Sequence, residues 1–157
     1  MLDALRTRLW RLAFRLYPAY RGTGGRITHI EPDWSEVRVK LPLSWRTRNY
    51  VGTVYGGSMY GAVDPIYMLM LIKSLGDDYV VWDRAAEIEF KKPGEDTLYA
   101  TCRLPEGELD LIRTELARDD VDSIDRVYTV DLVDDEGVVH ATVEKTVYVG
   151  TDQSKAA

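Results

Sequence analysis

The sequence predicts an α+β domain in which a curved antiparallel sheet wraps one apolar helix, with an extra helix at the N-terminus. Three observations carry that prediction. First, Met59, Tyr60, Val63, Ile66, Tyr67, Leu69, Met70 and Leu71 make the middle of the chain apolar almost all round, and a helix without a polar face must be surrounded by other structure. Second, segments that alternate apolar with polar residues occur twice before that stretch and four times after it, the period of half-buried strands. Third, 157 residues with 45% hydrophobic and 29% charged side chains suffice for one core and not for two ordinary domains.

The elements follow in order. Leu2 to Tyr17 reads as an amphipathic helix, with Leu5, Leu9, Leu12 and Leu16 at helical spacing and Arg6, Arg8, Arg11 and Arg15 over much of the remaining surface. Pro18 and the Gly22, Gly24, Gly25 cluster are expected to end it. Two readings of this helix stand open. It packs on its own domain or a neighbouring subunit, or it rests, Trp10 included, on an anionic membrane surface. Ile27–Glu31 and Val37–Leu41 read as strands separated by a Pro32-Asp33 turn. The Gly-rich stretch 49–64, NYVGTVYGGSMYGAVD, then runs into the apolar helix PIYMLMLIKSLG, residues 65–76, closed by Lys73 and Gly76. Tyr79–Phe90 and Thr97–Leu104 are strands joined through Lys91-Lys92-Pro93-Gly94. Residues 105–125 are acid-rich, and Leu109, Ile112 and Leu116 mark an exposed helical insertion. Arg126–Val133 and Val138–Val149 form a closing hairpin turned by Asp134-Asp135-Glu136-Gly137. The expected organisation is an N-terminal helix and linker over 1–25, one domain over 26–150, and a disordered polar tail over 151–157.

Composition excludes several classes of function. A single cysteine, Cys102, permits no internal disulfide or multi-cysteine zinc site, and His29 and His140 have no partner at metal-ligand spacing. No metal is expected. Both histidines are expected on a surface or an edge strand, away from the loop that precedes the apolar helix. A net charge of −6 argues against nucleic acid as a partner. That charge is uneven: residues 1–26 hold six arginines against Asp3, +5, leaving −11 on the remainder. The arginines also interrupt every apolar run that could form the core of a secretory signal. Val63 to Ile72, the longest apolar stretch, is too short for a bilayer and contains Asp64 and Pro65. A cytoplasmic protein is expected.

Asp64 is the anomaly. An unpaired carboxylate within an apolar helix costs several kcal/mol, and desolvation there should raise its pKa and basicity. It is either satisfied by a backbone or arginine partner that holds the helix in register, or it does chemistry. Pro65 removes a helical hydrogen bond and is expected to bend the axis beside it. Ser58 is expected to cap the helix or to bond Asp64.

The residues around Asp64 resemble the hotdog superfamily, in particular thioesterases of the phenylacetyl-CoA type. Those carry an Asn, a Gly-rich turn ending in His-Gly-Gly, and an Asp within the central helix. Here Asn49 precedes Tyr55 by six residues, Gly56-Gly57 follow, and Asp64 lies nine residues after Tyr55. A closer resemblance is to the tetrameric acyl-CoA thioesterase branch catalogued as a domain of unknown function. It rests on Tyr55-Gly56-Gly57-Ser58, Asp64-Pro65, Val81-Trp82-Asp83 and the closing Val143-Glu144-Lys145-Thr146-Val147-Tyr148-Val149.

The resemblance implies a hotdog fold and hydrolysis of an acyl-CoA thioester. Asp64 would be general base or nucleophile, the amides of Gly56 and Gly57 would polarise the carbonyl, and Asn49 would orient water or the thioester. It implies no cofactor, coenzyme A being part of the substrate, and a homodimer, commonly doubled to a tetramer, with each site shared between subunits. Tyr55 stands where the family has histidine, and a phenol is a poor general base at neutral pH. A catalytically silent protein that binds acyl-CoA or an acyl chain, or scaffolds a partner, is therefore the alternative. Ser58, Arg84, Lys91 and Lys92 are candidate substrate contacts, the basic ones for phosphates of coenzyme A.

Overall fold

Val37, Val39 and Leu41 alternate with Glu36, Arg38 and Lys40, so one face of that strand is apolar and the other charged. In the computed structural model the apolar face is fully buried against the central helices. The structure describes residues 2–151, with side chains from Leu5 onward. The elements are α1 (Leu2–Leu16), α2 (Pro18–Thr23), β1 (Arg26–Ile30), β2 (Glu36–Leu41), α3 (Gly56–Val63), α4 (Ile66–Leu75), β3 (Tyr79–Phe90), β4 (Leu98–Arg103), α5 (Glu108–Leu116), β5 (Ser123–Val133) and β6 (Val139–Thr151).

The six strands form one antiparallel sheet in the order β1-β2-β4-β5-β6-β3. The long β5–β6 hairpin turns at Asp134, whose Oδ1 accepts the amides of Glu136 and Val138. The inward residues of the sheet meet Met59, Ala62, Val63, Ile66, Tyr67, Met70 and Leu71 of α3 and α4. Burying such large side chains contributes roughly 1.5–3 kcal/mol each, which is why the apolar helical run lies under the sheet.

Five expectations change in detail. The central helix begins at Gly56, not Pro65, and Asp64-Pro65 divides it into α3 and α4. Pro18 ends α1 but also opens the short helix α2, where a proline at the first position loses no hydrogen bond. Gly24 ends α2 at φ +83°, with Thr47 so close that no Cβ would fit. The 105–125 segment is not merely a solvated insertion: Ile112 and Leu116 of α5 are buried, and so is Glu108. The Arg126 guanidinium grips Glu108 through two bonds of 2.8 and 2.7 Å, and the Tyr128 hydroxyl donates to it at 2.6 Å. Finally, His140 is buried on the interior strand β6, its ring nitrogens facing the Pro93 carbonyl and Asp134 Oδ2. It ties the β3–β4 connection to the β5–β6 turn. His29, by contrast, is on edge strand β1 beside Glu31. Of the tail expected over 151–157, Thr151 closes β6 and the other residues lie outside the described ones.

The leucines of α1 face an unexpected way. Leu5, Leu9, Leu12 and Leu16 are all more than half exposed, whereas Thr7 and Phe14 are buried. Trp10 packs edge-on to Trp34 at 5.7 Å and Phe14 to Tyr20 at 5.2 Å. The aromatic side, not the leucine side, holds α1 to the domain.

Candidate active site

Asp64 ends the helical turn that begins at Tyr60, and the amide of Asp64 donates to the Tyr60 carbonyl. Residues four apart on a helix are neighbours, so the Tyr60 hydroxyl reaches Asp64 Oδ1 at 2.5 Å. From the sheet side, the Lys145 ammonium donates to the same oxygen at 2.7 Å, to Tyr60 Oη at 3.2 Å and to Asp83 Oδ2 at 3.0 Å. Lys145 is fully buried, Asp83 is mostly buried, and the Asp64 side chain stays 41% exposed.

The cluster holds two carboxylates and one ammonium. Burial by itself would lower the Lys145 pKa, but its bonds to Asp64, Asp83 and Tyr60 outweigh that and hold it above the ordinary lysine value. Asp83 goes the other way: burial pushes it up, Lys145 opposes, and the nearby Asp64 charge adds to the rise. Burial and the bond to Asp64 likewise raise the Tyr60 phenol. The desolvated carboxylate is thus Asp83, while Asp64 faces solvent. Among the described residues Asp64 Oδ2 has no donor and the buried Asp83 Oδ1 has no partner. A groove of about 430 Å³ runs past Tyr60, Asp83, Arg84, Ala86, Ile88 and Lys145. It opens along the outer edge of β3.

The other expected site residues lie apart from this cluster. Gly56 and Gly57 form the first turn of α3, where amides have no helical acceptor, and none is present among the described residues. At roughly 1.5 Å per residue they stand about 10 Å along the helix from Asp64. Both glycines also have a packing reason. A Cβ on Gly56 would stand 2.9 Å from the Phe90 ring, and one on Gly57 would collide with the Tyr55 ring. Tyr55 is the exposed N-cap of α3 and bonds through its amide to the Thr47 carbonyl. Asn49 orders its own loop: Oδ1 accepts the amides of Val51 and Thr53, and Nδ2 donates to Thr53 Oγ1 at 2.8 Å. One amide proton of Asn49 is left for another acceptor. Ser58 is buried and neither caps α3 nor bonds Asp64, whose donors are Tyr60 and Lys145. Arg84 lines the groove but pairs with both oxygens of Asp125 at 3.0 and 2.9 Å. Lys91 approaches Glu89 at 3.4 Å, and exposed Lys92 has no ion pair among the described residues.

Lys145, Asp83 and the Tyr60 hydroxyl are functional candidates that only the structure brings forward. A signal for Lys145 was present. It falls in phase with Val143, Val147 and Val149, so a strand that buries those valines buries the lysine with them.

Residues 6–149 match the model of a family described as a domain of unknown function, DUF4442. No curated protein matches the sequence. Among solved structures, a Pseudomonas aeruginosa protein of unknown function, described as a "Probable Thioesterase", is similar with a TM-score of 0.78 at 18% identity, over 92% of this chain and 95% of that one. A thioesterase from Haemophilus influenzae is similar with a TM-score of 0.65 at 15% identity, over 88% and 87%. A mutant thioesterase from Pseudomonas aeruginosa has a TM-score of 0.67 at 12% identity, over 91% and 93%. At these identities the likeness is one of fold, and the fold is the hotdog.

Proposed function

The chain belongs to the DUF4442 family, and from that premise we propose that it is an acyl-CoA thioesterase whose site is shared between two copies of the chain. The observation that carries this reading is the division of the chemistry along one helical run. A carboxylate with a free oxygen stands at one end, two unpartnered amides stand at the other, and a groove beside an open sheet edge lies between them. One chain cannot bring a carbonyl to both ends at once.

Two copies can. Asp64 reaches Asp83 through Lys145, while Gly56 lies against Phe90, so β3 passes α3 in the opposite direction. Two β3 strands paired antiparallel about a two-fold axis near Ala86 and Glu87 set Asp83 of one copy opposite Phe90 of the other. The Gly56-Gly57 amides of the second copy then approach Asp64 of the first. In that arrangement Asp64 Oδ2 takes a proton from water, and the water oxygen attacks the thioester carbonyl carbon. The two amides hold the oxyanion that develops. Collapse breaks the C–S bond, the sulfur leaves as thiolate, and the proton on Asp64 passes to it. Lys145 and the Tyr60 hydroxyl both donate to Asp64 Oδ1 and so orient the carboxylate with Oδ2 free. The thioesterase names of the structural neighbours support the same reaction class.

A second reading, a silent acyl-CoA binder, has an observation of its own. Lys145 at 2.7 Å and Tyr60 both occupy Asp64 Oδ1, and Tyr55 stands where the resembling thioesterases carry histidine. Release of free thiol from a panel of acyl-CoAs decides between them. Turnover that falls about 10²–10⁴-fold in Asp64→Asn is the expected result for a general base. Tight binding of acyl-CoA by the wild type without turnover would establish the silent reading, and turnover indifferent to Asp64→Asn would remove Asp64 from the mechanism.

A further inference from the structure

A groove of about 840 Å³ lies away from the Asp64 cluster, between α1 and β1, and its walls are basic: Arg8, Arg11, Arg15, Arg21, Arg26 and Arg46 all line it. None of the six makes an ion pair among the described residues. The chain is acidic overall, at −6, so this concentration of unpaired guanidinium groups is local to one face.

The leucines of α1 stand on that same face. At 3.6 residues per turn, Leu5, Leu9, Leu12 and Leu16 fall within a sector roughly 60° wide. Thr7 and Phe14, which are buried in the domain, fall roughly 180° away. The stripe therefore points straight out from the molecule. Its members are 55%, 58%, 51% and 62% exposed, and Tyr17 next to them is 62% exposed. A single exposed leucine is ordinary, but four in one row are not. Arg8, Arg11 and Arg15 flank the row on one side and Arg6 on the other. Trp10, packed on Trp34 with the Lys73 ammonium 4.2 Å from its ring, fixes the helix in this orientation.

We propose that α1 and the arginine groove form a docking surface for an anionic phospholipid bilayer. The four leucines enter the boundary between headgroups and acyl chains, and the arginines lie level with the lipid phosphates. Charge selects this occupant over a second copy of the chain, because an isologous contact on this face would oppose six unpaired arginines to six more. No described helix is long and apolar enough to cross a membrane, so the helix lies in the plane of the surface. This inference is independent of thioester hydrolysis.

Co-sedimentation with vesicles tests it without any turnover. The wild-type protein is expected to sediment with phosphatidylcholine vesicles that contain phosphatidylglycerol, to remain in solution with pure phosphatidylcholine, and to be released by high salt. Each arginine near an anionic surface strengthens binding about fivefold, so Arg8→Gln/Arg11→Gln/Arg15→Gln should weaken vesicle binding about 100-fold. Leu9→Gln/Leu12→Gln should weaken it at least about tenfold by removing buried apolar area. All five side chains are exposed, and an unchanged circular dichroism spectrum confirms that the variants fold. Absence of binding to anionic vesicles, equal binding to both compositions, or indifference to the arginine triple overturns the proposal. A lipid-free mass by light scattering that drops in the leucine variant, without vesicle binding, assigns the face to a second copy instead and likewise overturns it.

Discussion

The two edges of the sheet are built in opposite ways. On one side β1 is five residues long, carries a bulge between Ile27 and His29, and has α1 lying against it. Shortness, a bulge and a covering helix are the devices by which proteins keep an edge from pairing with another chain. On the other side β3 runs for twelve residues and, among the described residues, pairs with β6 alone, and its middle residues Ala85, Ala86 and Glu87 are exposed. A long bare edge in a natural protein is normally completed by something. The proposed site needs that completion, because its carboxylate and its amides are at opposite ends of α3. Covering β1 has a consequence of its own: α1 uses its aromatic side for the sheet edge, and its leucines are left outside.

Breaking the β3 edge should have the largest effect. Successive strand amides point to opposite sides, so one of Ala85 and Ala86 directs its N–H to β6 and the other to the open edge. A proline at the outward position removes a bond on both copies of a two-fold pair. Of Ala85→Pro and Ala86→Pro, one is expected to reduce the mass in light scattering from twice the chain mass to the 17.9 kDa of one chain, with thioester turnover lost alongside. Thr28→Pro on β1 should leave the mass unchanged. If β1 responds and β3 does not, the contrast between the edges is wrong.

Next in size is Lys145→Met, which strands Asp83 as a buried charge beside the β3 edge. A cost of about 3 kcal/mol is expected in chemical denaturation, at the low end for a broken buried pair because Asp64 faces solvent. Glu108→Gln, on α5 and away from both edges, should cost about 2 kcal/mol, the loss of charge-assisted bonds to Arg126 and Tyr128, and leave the oligomeric mass alone. Burial pushes the Glu108 carboxyl up, but Arg126 and Tyr128 outweigh it and hold it below the usual value of 4.5. A folded value below the unfolded one means that the stabilisation is present above pH 4.5 and disappears as pH falls through the lower, folded value. The difference between wild type and Glu108→Gln should therefore shrink in acid.

Much of this is legible in the amino-acid sequence. Tyr79–Phe90 matches the strand that the sequence predicts, because turn-forming sequence bounds it on both sides, Gly76-Asp77-Asp78 before it and Lys91-Lys92-Pro93-Gly94 after it. Asp64 stands out because a charge in an otherwise apolar helix requires either a partner or a chemical role. Its partner was less visible, since Lys145 lies 81 residues away and a lysine in an alternating strand is ordinarily read as outward. The resemblance implies that Asn49 orients water or the thioester, but its loop bonds to Val51 and Thr53 occupy most of its side chain.

What the amino-acid sequence determined by itself is the set of local patterns: where helices and strands form, which faces are apolar, and where a carboxylate interrupts them. These depend on neighbours within a few residues, which the chain order specifies directly. Only the tertiary structure decided which pattern faces which. Periodicity states that the two faces of α1 differ, not that the leucine face is the one buried, and here Phe14, Thr7 and Trp10 took that place. Likewise the sequence contains Asp64, Asp83 and Lys145 as three separate charges, and only the β3–β6 pairing beside α3 makes them one cluster. The physical reason is the same for both. Contacts between distant segments are settled by competition among all the apolar surfaces for one core, and no local stretch carries the result.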